Sequence, residues 1–149
     1  MTSADDQLHP LLVLLVEDSD ADILLTTEAF EDAKIAVEVV VAKDGRVALD
    51  ILAEAERGER RQPELILLDL NLPKIDGLEI LEHVKSHPDQ RAIPVIVITS
   101  SRSPADRCTA YEKHANSFIG KPLDPERFLT IMRGIEDYWV TVVRLPSHG

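Results

Sequence analysis

Five positions place a reactive polar side chain at the C-terminal end of an apolar run: Glu17 and Asp18 after LLVLLV, Asp69 after ELILL, Thr99 after VIVI, and Lys121 after SFIG. In an open parallel α/β sheet the carboxyl ends of the strands line one crevice, so residues distant in sequence converge there. Three carboxylates, a hydroxyl and an ammonium would then share one pocket. Clustered carboxylates repel one another and favour a neutralising cation, and hard oxygen ligands select Mg²⁺, which is commonly held by one or two carboxylates together with a phosphate. Aspartate can attack a phosphoryl group to give an acyl phosphate. Asp69, which ends an apolar run in the middle of the chain, is the candidate nucleophile. Positioning and charge neutralisation carry most of phosphoryl transfer, and here the metal, Lys121 and a hydrogen bond from Thr99 would supply them.

The elements that must hold these residues alternate along the chain. Residues 11–16, 35–42, 64–69, 93–98 and 116–120 are short apolar or β-branched runs that read as strands, with helical stretches between them. Val47, Ala48, Ile51, Leu52 and Ala55 follow helical spacing and predict one buried stripe behind an Asp44 N-cap. Leu78, Leu81 and Val84 share a face of a helix over 76–87 that begins after a turn punctuated by Pro73 and Gly77. Ser103-Pro104-Ala105-Asp106 reads as a capped helix start, and Asp124-Pro125 repeats the device ahead of Phe128, Ile131, Met132 and Ile135. Glu54 to Gln62 reads as a charged, solvated connection. Strand and helix in alternation predict a parallel sheet with helices on both faces.

Composition sets the bounds. The 149 residues, 44% hydrophobic and 29% charged, suit one globular domain. A formal net charge of −11 argues against DNA, RNA or anionic lipid as a partner and favours another protein. Cys108 is the only cysteine, which rules out an intramolecular disulfide, and its neighbours predict a helical packing residue. His83 and His87 stand four apart but lack further ligands nearby, so a solvated helix surface is expected rather than a metal site. The polar start, Met1 to His9, does not read as a signal peptide, and no apolar run approaches the roughly 20 residues of a membrane span. The expected location is the cytoplasm.

With VEDSDAD at 16–22, LLDLNLPKIDG at 67–77, VITSS at 97–101 and FIGKPL at 118–123, the chain resembles bacterial response-regulator receiver domains over nearly its whole length. The resemblance implies a flavodoxin-like, doubly wound sheet of five parallel strands in the order 2-1-3-4-5. It makes Glu17 and Asp18 the metal-binding acidic pair, Asp69 the phosphoacceptor, and Asn71 the donor of a backbone carbonyl to Mg²⁺. Thr99 matches the switch hydroxyl, Lys121 the site lysine, and Phe118 the aromatic whose rotamer reports phosphorylation by turning inward. Ser101 and Asn71 match positions that tune the lifetime of the phosphate, and the Lys121-Pro122 bond is expected to be cis. A receiver of this kind is not a classical enzyme, although it assists its own phosphorylation and dephosphorylation.

EDSDAD, the charged connection before QPELILLDLNLPK, and the tail DYWVTVVRLP also resemble stand-alone regulators that pair with bacterial phytochrome-type histidine kinases. The implied organisation is a polar tail over 1–10, a receiver over 11–138, and an apolar arm and tail over 139–149. The expected donor is a histidine kinase of the bacteriophytochrome type. The residues after Lys121 are too few for a last helix and an effector domain, so output is expected through protein contact. A homodimer is expected through the fourth helix, fifth strand and fifth helix, with Tyr138, Trp139, Val140, Val142, Val143 and Leu145 of the arm contributing. The fourth helix, with Tyr111 as its main large apolar residue, is expected to be weakly anchored.

The rival reading is a haloacid-dehalogenase-like aspartyl phosphatase, which also joins a strand-end aspartate to Mg²⁺, threonine and lysine. That family resembles the chain poorly. It places a general acid two residues after the nucleophile, where this chain has Asn71, and its nucleophile follows the first strand rather than the third. A generic phosphate monoester should therefore be turned over no faster by this protein than by Asp69→Asn; sustained turnover that depends on Asp69 would favour the phosphatase.

Overall fold

The structure is a computed structural model that describes residues 10–100, 108–109, 111–121 and 123–138. β1 (Leu11–Val16), β2 (Val37–Ala42), β3 (Leu65–Leu68), β4 (Val95–Thr99) and β5 (Ser117–Gly120) form one sheet in the order β2-β1-β3-β4-β5. Every pairing is parallel. The helices are α1 (Asp20–Asp32), α2 (Gly45–Glu56), α3 (Gly77–Ser86), the described helical residues 108, 109, 111 and 112 of α4, and α5 (Pro125–Tyr138). The sheet order and its parallel sense are those the sequence predicts.

Alternation along each strand separates two cores. Leu14, Val16, Ile66, Leu68, Val95, Val97 and Phe118 meet Ile51 and Leu52 of α2 and Ile80, Leu81 and Val84 of α3. Val13, Leu15, Leu65, Leu67, Ile96, Ile98 and Ile119 point to the other face, against Phe30 of α1 and Phe128 and Met132 of α5. The rings of Phe30 and Phe128 meet edge-to-face with centroids 5.1 Å apart, which ties α1 to α5. Because β3 is buried on both faces, its sequence is an unbroken LILL.

The caps follow the sequence. Asp44 Oδ1 accepts from Val47 N, Asp76 Oδ1 from Leu78 N, and Asp124 Oδ1 from Glu126 N, each filling an orphan donor of a first helical turn. Several faces differ from expectation. Val47 is 40% exposed, so the buried stripe of α2 is Ala48, Ile51, Leu52 and Ala55. α3 buries Ile80 with Leu81 and Val84, and Leu78 sits at the edge. Cys108 is exposed rather than packed, and Tyr111 is 46% exposed and anchors little. Gln62 is not merely solvated, since its Oε1 accepts from the buried Gln90, whose Nε2 also reaches Leu52 O. The predicted helix start at 103–106, Ser101, Pro122 and the arm over 139–149 lie outside the described residues, as does the side chain of Ile135.

The loop from Leu70 to Asp76 is clamped at both ends. A Cβ on Gly77 would lie 2.5 Å from Asp69 O and 2.6 Å from Leu70 Cα, and one on Gly45 would lie 2.5 Å from Ile75 Cβ. Between the clamps Lys74 adopts φ 72°, a left-handed conformation that costs a non-glycine residue about 1–3 kcal/mol. Gly77 is thus a packing requirement behind the site. Gly77→Ala should lower unfolding free energy by about 1–3 kcal/mol through backbone overpacking. Gly134→Ala, in a helix with nothing within 4 Å, should be neutral or stabilising by up to ~1 kcal/mol. Urea denaturation of both variants checks the contrast.

Candidate functional site

The sheet ladder extends one residue beyond the strand ends, and this aligns the site. Glu17 N donates to Ala42 O at 2.9 Å, Asp69 N to Val16 O at 3.0 Å, and Lys121 N to Thr99 O at 2.9 Å. The backbones of Glu17, Asp69, Thr99 and Lys121 are therefore bonded to neighbouring strands rather than carried on free loops. Glu17, Asp69 and Thr99 are buried, while Asp18 is exposed at the rim.

Lys121 occupies the centre. Its Nζ lies 2.8 Å from Glu17 Oε1, 2.8 Å from Asp22 Oδ2 and 2.9 Å from Asp69 Oδ2. Burial alone would favour the neutral amine, but hydrogen bonds to Asp22, Glu17 and Asp69 outweigh it and hold the ammonium above the ordinary lysine range. Burial pushes the Glu17 carboxyl up, with the Asp69 charge acting in the same direction; bonds from Lys121 and Ser19 N offset part of this. The other oxygen of Asp69, Oδ1, accepts from Asn71 N at 2.9 Å.

On the far side of Asp69, Asn71 Nδ2 donates to Thr99 Oγ1 at 3.0 Å. The amide that occupies the position of a phosphatase's general acid thus orients the threonine hydroxyl. Phe118 is only 3% exposed and packs with the α2–α3 core. Arg127 Nη2 of α5 holds the carbonyl of Phe118 at 2.7 Å.

Glu17, Asp18 and Asp69 each offer a carboxylate oxygen, and the three oxygens lie within 4.8 Å of one another. Three carboxylates, Glu17, Asp22 and Asp69, contact the Lys121 ammonium, and Asp18 joins Glu17 and Asp69 at the rim; that surplus of negative charge suits a divalent cation. A hard, all-oxygen donor set with one exposed member fits Mg²⁺ or Mn²⁺. His83 and His87 form no such group: their ring centroids are 6.3 Å apart, Asp89 N donates to His87 Nδ1, and His87 Nε2 pairs with Glu56 at 2.9 Å.

The structure brings together Glu17, Asp18, Asp69, Asn71, Thr99 and Lys121, with Phe118 behind them on β5. Sequence reading missed Asp22. Its signal was the Ser19-x-x-Asp22 spacing: Ser19 caps α1 by accepting from Asp22 N at 3.2 Å, which sets the Asp22 side chain in the first turn over the strand ends.

Residues 13–133 match the response regulator receiver domain family. Response regulator Rcp1 of Synechocystis sp. is 39% identical over 97% of this chain and 99% of its own length. The crystal structure of its Mn²⁺-bound form superposes with a TM-score of 0.74 at 40% identity, covering 92% of this chain and 99% of that one. The phosphorylated cyanobacterial phytochrome response regulator RcpA gives a TM-score of 0.75 at 39% identity, over 93% and 99% of the two chains. A probable methanogenesis regulatory protein, FilR2 of Methanothrix harundinacea, is 42% identical over 93% of this chain and 89% of its own. These relatives are signalling regulators, and no described helix is long and apolar enough to cross a membrane. With the acidic cluster, the strand-end lysine and the 2-1-3-4-5 sheet all in place, this chain belongs to the response regulator receiver domain family of two-component systems.

Proposed function

We propose that the protein is a phosphoacceptor switch, phosphorylated on Asp69 by a histidine kinase. The observation that carries this reading is the Asp69 carboxylate, fixed at the end of β3 between the Lys121 ammonium and the Glu17–Asp18 acid pair. An Asp69 oxygen attacks the phosphorus of the kinase phosphohistidine, the P–N bond breaks, and its electron pair returns to the imidazole. The product is an acyl phosphate on Asp69. Glu17, Asp18, Asp69 and the backbone carbonyl of Asn71 would hold Mg²⁺, which when bound supplies charge neutralisation for the phosphoryl oxygens. Lys121 offers its ammonium to a phosphoryl oxygen, and Thr99, oriented by Asn71, presents its hydroxyl from the opposite side.

The phytochrome response regulators among the relatives support a bacteriophytochrome-type kinase as donor. The absence of a proton donor at Asn71 supports a switch over a haloacid-dehalogenase-like phosphatase. Output passes by protein contact from the α4–β5–α5 face in the cytoplasm. The exposure of Tyr111 on that face supports a surface that can rearrange or be covered, and a homodimer through it, with the arm over 139–149 contributing, is the assembly we favour.

Acetyl phosphate or a cognate kinase should label the protein only with Mg²⁺ present, and Asp69→Asn should abolish the label; label that persists in that variant would remove Asp69 from its role. By calorimetry, Asp18→Ala should weaken Mg²⁺ binding by about tenfold or more, since even outer-shell partners act on that scale. His83→Ala should leave Mg²⁺ binding unchanged.

Light scattering on the full chain and on a truncation ending at Asp137, each with and without phosphorylation, addresses assembly. A full-length dimer and a truncated monomer that still accepts phosphate are expected. Monomers throughout would refute the dimer.

A further inference from the structure

Asp22 reaches the centre of the site, yet no part of the phosphoacceptor chemistry calls for it. An ammonium has three N–H donors. At Lys121 all three are matched, by Glu17, Asp22 and Asp69 at 2.8, 2.8 and 2.9 Å. A phosphoryl group on Asp69 brings strong acceptor oxygens beside the same nitrogen, so one of the existing bonds must yield before Lys121 can reach it.

Burial decides which bond yields. Acylation moves the charge of Asp69 onto the phosphoryl group, so its bond from Lys121 passes to a phosphoryl oxygen, and any further bond must come from Glu17 or Asp22. The Glu17 side chain is 4% exposed, and depriving it of its donor would strand a charge away from water. The Asp22 side chain is 30% exposed, and water can take the place of the lysine there. Asp22 is also presented rigidly. Its N–H donates to Ser19 Oγ at 3.2 Å and its carbonyl accepts from Thr26 Oγ1 at 2.8 Å, so the carboxylate is carried by a capped helical turn.

We propose that Asp22 is a positioning residue that competes with the phosphoryl group for Lys121 and thereby biases the receiver toward its unphosphorylated state. The proposal rests on Asp69 as phosphoacceptor and adds a regulatory counterweight to it. Both effects of the carboxylate, occupying a donor and contributing like charge, act in the same direction. Removing it should favour the phosphorylated state, whereas damage to a purely structural residue would weaken the site.

The test is equilibrium binding of beryllium trifluoride, a stable stand-in for the phosphoryl group, to the full chain in Mg²⁺, read by calorimetry. Asp22→Asn should bind about two- to fivefold more tightly than wild type, the range of a part-exposed ion pair. Ser19→Ala, which loosens the same helical turn but leaves the carboxylate in place, should bind no more tightly than wild type. Unchanged or weaker binding by Asp22→Asn would overturn the proposal, as would equal tightening by Ser19→Ala. Failure of wild type to bind, or binding by Asp69→Asn equal to wild type, would overturn the phosphoacceptor reading itself and the proposal with it.

Discussion

One largely enclosed ammonium shared by three acids is the constraint on which the rest of the site depends. Lys121 draws β1, β3, β5 and the first turn of α1 to a single point, because each contributes a carboxylate or the lysine itself. Removing the lysine would strand the buried carboxylates of Glu17 and Asp69, and breaking a buried pair in this way typically costs about 3–5 kcal/mol. The acids exceed the cation, so the pocket is poised to accept more positive charge at its open rim, where Asp18 lies. The same imbalance that makes the site costly to fold makes it receptive to a divalent ion.

The backbone answers that electrostatic demand with rigidity. Ladder bonds to Ala42, Val16 and Thr99 carbonyls hold the strand-end residues in register, and the loop after Asp69 is pinned where Gly77 meets the backbone of Asp69 and Leu70. Pre-positioned groups need little rearrangement when charge arrives at Asp69, which is where a preorganised site gains over water. Beside this frame, Thr99 is joined to Asn71, and Phe118 packs in the α2–α3 core.

Most of this was legible in the sequence because buried parallel strands write themselves as apolar runs that end abruptly in polar residues. Glu17, Asp69, Thr99 and Lys121 could be found by that signature alone. Asp22 could not, because a helical residue reveals its direction only once the helix is docked; its clue was the spacing from Ser19. The same limit explains Val47 and Cys108. Helical periodicity identifies a face but not how far a neighbouring layer covers it, so residues at its margin were assigned to the core and lie in water. Phe118 could be placed on β5 from sequence, whereas its burial depends on packing from α2 and α3.

The partition of the interior into two cores has a bearing on how such a chain can diverge. Because the strands alternate, Phe30, Phe128 and Met132 share no packing cluster with Ile80, Leu81 and Val84. Losses on opposite faces should therefore sum independently, while those within one face should show coupling. Apolar substitutions between α1 and α5 can accumulate without repacking the face that holds the Phe118 ring, provided that Arg127 still holds the Phe118 carbonyl. One side of the sheet is then open to change in the lineage while the packing of the other is kept.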